Sequence, residues 1–363
     1  MTPLGREIAE TIAAEGPMPV DRYMALCLSH PAYGYYATRD PFGRGGDFVT
    51  APEISQMFGE LIGLWAAEVW RQMGAPGRFA LIELGPGRGT LMADMLRAAK
   101  AAPGFLEAAE IVLVETSPAL REVQAKALSG RTTRWVQTVD DALGQTALPA
   151  IVVSNEFFDA LPIRQFVRTG AGWRERLVGL NGEGRLAFGL SPAPADLPLP
   201  DAPEGSVREI CPQALDVMTA VAIHLARHGG SMLAIDYGYA AGFGDTLQAM
   251  KAHAFADPFA TPGEADLTAH VDFGALAAAA RAAGAAPMRL IDQSDLMERL
   301  GLGLRAEALS RASPTGREQI FAAARRLTDR SPRGMGALFK AFAVCDPRLG
   351  APPAFEPILN AET

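Results

Sequence analysis

Short, almost unbroken apolar runs alternate with longer amphipathic stretches through the middle of this chain. The runs Phe79 to Leu84, Ile111 to Glu115 and Ala150 to Ser154 predict buried strands, and Thr133 to Gln137 predicts a further strand. Helical stretches separate them, one running from about Thr90 to Lys100, and this rhythm predicts a doubly wound parallel sheet. The pattern then breaks. Arg164 to Val178 reads as a hairpin around Gly170-Ala-Gly172, followed by a Pro/Gly-rich connector from Leu180 to Glu204. A helix from Pro212 to His228 returns to a buried strand, Ser231 to Asp236, and a second interruption covers Ala240 to Thr268. A helix over Asp272 to Ala283, a strand over Pro287 to Ile291 and a closing strand over Leu338 to Val344 complete the sheet.

Ahead of the sheet the pattern is helical. Thr2 as N-cap, Pro3 at the first helical position, and Ile8 and Ile12 one turn apart predict a helix to Glu15. Two more are expected over Val20 to Ser29 and Ser55 to Met73. Between them lie Ser29-His-Pro-Ala-Tyr-Gly-Tyr-Tyr36 and the string Gly45 to Glu53, rich in glycine and aromatics. That composition suits a lid over a ligand, and equally a hairpin packed on its own tyrosines. The expected organisation is a helical cap and lid loop over residues 1–75, a cofactor-binding α/β domain over 76–346 with insertions at about 160–230 and 240–270, and a tail over 347–363.

The junction between the first apolar run and its helix carries the chemistry. Glu83-Leu-Gly-Pro-Gly-Arg-Gly-Thr90 places Gly85, Pro86, Gly87 and Gly89 where backbone can approach a ligand and helix amides point into the same space. A dinucleotide fingerprint needs its third glycine where Thr90 stands, so the spacing is GxGxG rather than GxGxxG. Glu83, on the strand end, can meet a cationic ammonium and has no task beside a pyrophosphate. An acid followed by GxGxG is the pattern of S-adenosylmethionine (SAM) methyltransferases. Glu115 ends the second run and is a candidate ligand for the ribose hydroxyls. It stands 30 residues after Gly85, further than the roughly 20 of the shortest units, and Pro103-Gly104 can absorb the excess. Glu115 can also cap the helix starting near Ser117-Pro118, and the two roles are compatible.

Ligands of open parallel sheets bind outside the carboxyl ends of the strands. After the fourth run come Ser154-Asn-Glu-Phe-Phe-Asp-Ala-Leu-Pro162, and after the fifth Asp236-Tyr237-Gly238. Asn155 is a candidate cofactor contact. Glu156, Asp159, Asp236 and Tyr237 are candidates for chemistry on a cationic acceptor, because a nitrogen nucleophile needs a carboxylate to orient it or take its proton. Glu156 and Asp159 could grip a guanidinium through paired hydrogen bonds while Phe157 or Phe158 stacks on cofactor or substrate. Asp159 capping a turn and both phenylalanines serving as core is the plainer alternative.

Composition narrows the class. A formal net charge of -8 supplies no basic field, which argues against non-specific nucleic-acid binding and against a polybasic membrane patch. Three scattered cysteines, Cys27, Cys211 and Cys345, exclude a disulfide framework and suit a reducing compartment. His224 and His228 are an i, i+4 pair with no glutamate between them and Gly229-Gly230 directly after, which favours a polar helix C-terminus over a metal site. Asp272-Phe-Gly274 matches a kinase triplet but lacks every accompanying kinase motif, so a helix N-cap is the better account. No run approaches membrane-spanning length, and the N-terminus has neither a signal-peptide core nor a transit-peptide bias. A bacterial cytoplasmic location is expected, and no motif speaks to oligomeric state.

The strings HPAYGYY, GGDFVTAPEISQMFGE, ELGPGRGTLMADMLR, VETSPALREVQ, SNEFFDALPIRQF, IDYGY, ADLTAHVDF and MGALFKAFAV, in this order, resemble the MidA-like methyltransferase family over about residues 4 to 346. The resemblance implies a class I SAM-methyltransferase fold, a Rossmann-like doubly wound sheet with a helical cap, and SAM as cofactor. It maps the family's glycine loop to Gly85, Gly87 and Gly89 and the ribose acid to Glu115. For the mitochondrial members it implies transfer to an arginine of a core subunit of respiratory complex I during assembly, giving symmetric dimethylarginine. Three functions are therefore expected in turn: a protein-arginine methyltransferase acting on a complex I core subunit, a methyltransferase for another protein or a small molecule, or an assembly chaperone retaining a SAM site.

Overall fold

The computed structural model describes residues 1–38, 50–144, 147–252 and 254–358. Most of the expected lid string, from Gly45 to Val49, and His253 lie outside the described residues. The chain gathers into two units. One comprises the described residues of Met1–Phe48 with Phe158–Ala214 and Tyr239–Asp272; the other comprises those of Val49–Phe157, Leu215–Gly238 and Phe273–Thr363.

The second unit is built on the predicted sheet. Its strands run in the order Ala286–Pro287, Phe339–Cys345, Gly230–Tyr239, Ala150–Asn155, Phe79–Leu84, Ala109–Val114, Thr133–Val136. The last five are mutually parallel, and Phe339–Cys345 is antiparallel to Gly230–Tyr239. Phe79–Leu84 and Ala150–Asn155 are buried at every position, as continuous apolar runs require when helices cover both faces. Strand order reverses between those two, which opens a crevice at their carboxyl ends. Helix Gln56–Gln72 packs on helix Thr90–Ala99 at very close range. A Cβ added at Gly63 would lie 2.4 Å from the Met95 carbonyl oxygen, so only glycine permits this approach.

The expected strand Pro287 to Ile291 is divided into Ala286–Pro287 and Ile291–Asp292. The cause is local: the Met288 N–H still donates to the Ala343 carbonyl at 2.8 Å, but the Arg289 N–H turns to the Glu356 carbonyl at 2.9 Å and Met288 bridges Pro357, so the run leaves the ladder from Arg289. Residues 293–327, for which the pattern predicts nothing, hold helices Gln293–Arg299, Leu302–Ala312 and Arg317–Leu327.

The first unit has its own core, in which Leu4, Ile8 and Ile12 of helix Pro3–Glu15 and Tyr23, Met24 and Leu28 of helix Val20–Ser29 pack with Ile163, Val178 and Leu267. Thr2 caps the first helix, its hydroxyl accepting from Gly5 N–H at 3.0 Å. The expected hairpin is present and pairs Arg164–Thr169 with Gly172–Leu180, Thr169 standing opposite Gly172. The connector is not all irregular: Leu186–Leu190 adds a strand to Gly172–Leu180. Asn181 makes that possible, since its side-chain oxygen accepts from Glu183 and Arg185 N–H and closes a tight turn. The second interruption likewise holds a small antiparallel sheet, Ala254–Ala256, Gln248–Lys251 and Asp266–Thr268.

Candidate active site

The glycine loop leaves the carboxyl end of Phe79–Leu84 through a tight turn closed by Gly89 N–H donating to the Pro86 carbonyl at 2.7 Å. Gly85, Gly87 and Gly89 all have left-handed φ, at 62°, 52° and 81°, which side-chain-bearing residues resist. Gly89 directly precedes helix Thr90–Ala99, whose amides therefore open on the loop. The Thr90 hydroxyl donates to Glu53 at 2.7 Å. Around this cradle sit buried polar atoms without a protein partner among the described residues: Glu83 Oε2, Ser154 Oγ and Asn155 Oδ1. Burial pushes the Glu83 carboxyl up to about 8, with the Met92 N–H pulling it partly back. A cation entering beside it would favour the ionised carboxylate and draw that pKa back down.

Glu115 follows Ala109–Val114, one strand over from the loop. Its carboxylate accepts from Ser117 N–H at 2.7 Å and from Gln124 Nε2 at 3.0 Å. Burial raises its pKa, and the Ser117 and Gln124 donors oppose the rise. The helix that follows is capped by Ser117, which accepts from Leu120 N–H at 3.4 Å.

On the other side of the central strand, Glu156 follows Ala150–Asn155 and has φ of 53°, left-handed for a residue with a full side chain. Its N–H donates to the Ile235 carbonyl at 3.0 Å. Asn155 Nδ2 donates to Glu156 Oε1 at 2.9 Å. Burial pushes the Glu156 carboxyl up to about 7, against the Asn155 and Ala51 donors. Asp236, 1% exposed, accepts from the N–H of Phe157 at 3.1 Å and of Tyr237 at 2.9 Å, so it fixes the backbone beside Glu156. The Tyr237 ring packs on Phe339, with centroids 4.0 Å apart. Phe157 packs on the loop, where a Cβ at Gly85 would come 3.0 Å from its ring.

The sequence candidates thus divide. Glu83, Gly85, Pro86, Gly87, Gly89, Thr90, Glu115, Asn155, Glu156, Asp236 and Tyr237 all belong to the unit with the large sheet, at the carboxyl ends of its strands or on the helix that follows. Asp159 belongs to the other unit. There it is buried, its carbonyl accepts from Ala269 N–H at 2.9 Å, and its charge, with that of Asp266, adds to burial in pushing the Tyr36 phenol well up. Sequence reasoning missed Gln124, which bonds Glu115 and Gly87, and Glu53, which accepts from Thr90. The signal available was weak: a polar residue on an otherwise ordinary helical turn.

A family model described as "Putative S-adenosyl-L-methionine-dependent methyltransferase" matches residues 61–291. "Protein arginine methyltransferase NDUFAF7, mitochondrial" of Danio rerio is 38% identical over 371 residues, spanning 93% of this chain and 86% of the relative. The chain belongs to this family of SAM-dependent methyltransferases. The relative of the same description from Homo sapiens is 34% identical over 374 residues, spanning 95% of this chain and 83% of its own. Among solved structures, a protein from Burkholderia thailandensis bound to S-adenosyl-homocysteine has a TM-score of 0.83 at 29% identity, covering 97% of this chain and 94% of that one. The fold is the class I methyltransferase fold and the cofactor is SAM. The left-handed glycine cradle and the orphaned Glu83 and Asn155 oxygens fit such a group: an amphoteric amino acid on the loop and a ribose on Glu115.

The rings of the histidine pair lie against each other, with centroids 4.8 Å apart. A His224 nitrogen lies 3.0 Å from the Leu148 carbonyl, burial lowers its pKa, and no cluster able to hold a metal occurs among the described residues. No helix among the described residues is long and apolar enough to cross a membrane.

Proposed function

We propose that this methyltransferase modifies an arginine of a protein, and that its acceptor is a core subunit of respiratory complex I before assembly buries it. The observation that carries the chemistry is Glu156: a half-buried residue in a strained left-handed conformation, its carboxyl poised near neutral pH at the carboxyl end of a central strand. Support for arginine comes from the relatives, described as protein arginine methyltransferases, which match this chain along most of its length.

SAM supplies an electrophilic methyl on a sulfonium. The loop and Glu83 orient it, and Glu115 takes its ribose. Glu156 would hold the incoming guanidinium by a charge-assisted bond, orient one of its nitrogens toward the methyl that SAM would supply, and accept the proton that nitrogen gives up on methylation. Asn155 keeps Glu156 oriented through the 2.9 Å bond, and Asp236 fixes the chain on either side by its two backbone contacts.

The test is incubation of the purified protein with methyl-labelled SAM and lysate from a deletion strain. A labelled band whose digest yields methylarginine from the complex I core subunit is the expected result. Label on another protein or in the small-molecule fraction replaces the acceptor, and no label despite SAM binding favours a chaperone.

A further inference from the structure

Gln124 is fully buried on helix Pro118–Ala127, and both the nitrogen and the oxygen of its amide are hydrogen-bonded. Its Nε2 donates to the Gly87 carbonyl at 2.8 Å and to Glu115 Oε2 at 3.0 Å. Its Oε1 accepts from Trp135 Nε1 at 2.8 Å. The partners leave no choice of amide orientation: an indole N–H only donates, and a carbonyl and a carboxylate only accept. Gly89 presses on the same side chain, where an added Cβ would sit 3.4 Å from Gln124 Cα and Cγ. One side chain therefore ties the middle of the glycine loop to the acid on the neighbouring strand, and Trp135, from the next strand out, locks it.

We propose that Gln124 is a positioning residue for the cofactor ribose: it sets the separation between the glycine loop and Glu115 and aims the Glu115 carboxylate at the ribose hydroxyls. It acts through Glu115 and the loop, without touching the reacting atoms. Methionine at this position would keep the bulk but remove both donors and the acceptor, leaving the Gly87 carbonyl unpaired and one Glu115 oxygen free to swing. The Trp135 contact adds a second handle, since phenylalanine there would remove only the donor that fixes the amide.

This proposal rests on Glu115 being the ribose ligand, and the experiment separates the two. Calorimetric titration compares S-adenosyl-homocysteine with its 2′,3′-dideoxyribosyl analogue on wild type and Gln124→Met. Wild type should prefer the natural nucleoside by roughly tenfold or more, the loss expected for hydrogen bonds to a charged group. Gln124→Met should lose most of that preference while binding the analogue as wild type does. Equal wild-type affinity for the two ligands overturns the ribose assignment of Glu115 and this proposal with it. A preference kept in full by Gln124→Met, or an equal fall for both ligands, overturns the proposal alone. A merely structural glutamine would weaken both ligands alike. Should Gln124→Met fail to fold, Trp135→Phe decides by the same ratio: a reduced preference supports the proposal and an unchanged one overturns it.

Discussion

Replacing Glu83 by glutamine separates what burial does to this carboxyl from what it does for the cofactor. The side chain is 2% exposed, one oxygen has no partner among the described residues, and burial lifts its pKa from 4.5 to about 8. The folded pKa lies above the unfolded one, so between pH 4.5 and 8 the unfolded chain has released a proton that the folded chain keeps. Stability contributed by this group is full below pH 4.5 and is lost as pH rises through that window, by about a factor of ten in the folding equilibrium per pH unit. By pH 7 the loss is about 3 kcal/mol. Glu83→Gln, neutral throughout, escapes it, so the unliganded variant should gain on wild type in urea melts as pH is raised from 5 to 7.5. Ligand binding should run the other way. If the cationic amino group of SAM or its sulfonium draws the proton off Glu83, wild-type affinity rises with pH toward 8, and titrations in buffers of different ionisation enthalpy report proton release. Glu83→Gln should bind more weakly at pH 8 and show a flatter pH dependence. Equal pH slopes in the two proteins, with equal affinity at pH 8, would refute a role for Glu83 in holding the cation.

Gly87→Val should leave the fold intact by circular dichroism and abolish SAM binding, because φ of 52° is closed to a branched side chain and the loop must rearrange; unchanged affinity in calorimetry would contradict this. Glu115→Ala should weaken SAM by about 1 to 3 kcal/mol, and wild type should show no NADH binding; tight NADH binding would overturn the loop reading. Glu156→Gln should keep SAM affinity and lose methyl transfer, and wild-type turnover should rise with pH through about 7 as the carboxyl ionises. Full turnover by the variant, or loss only in step with its melting temperature, would assign Glu156 a structural part.

The sheet was legible because parallel strands covered on both faces are largely apolar, and Phe79 to Ile82 and Ala150 to Val153 satisfy that, with Glu83, Ser154 and Asn155 marking the carboxyl ends. The glycine loop was legible because left-handed backbone leaves few residue choices. Helices over 293–327 were not: their outward faces carry Arg299, Arg311, Arg325 and Arg326, and the buried stripe of Leu296, Met297, Leu302, Ala306 and Leu327 is thin and broken. Leu186–Leu190 hid in a connector because five residues give too few alternations to show a strand period. The Gln124 clamp was invisible for a different reason. Glu115, Gln124 and Trp135 come from a strand end, a helix and a neighbouring strand, and only tertiary packing brings them within hydrogen-bond reach.

The left-handed backbone at Glu156 also predicts how this enzyme would respond to being made sturdier. A non-glycine residue there costs on the order of 1 kcal/mol or more, and the buried carboxyl adds to it. Glycine or asparagine at position 156 would relieve both burdens, so a selection for heat resistance alone should enrich them and return a hardier protein with a dead site. The position at which such a selection and a selection for methyl transfer disagree most sharply marks, without any substrate in hand, where the chemistry is done.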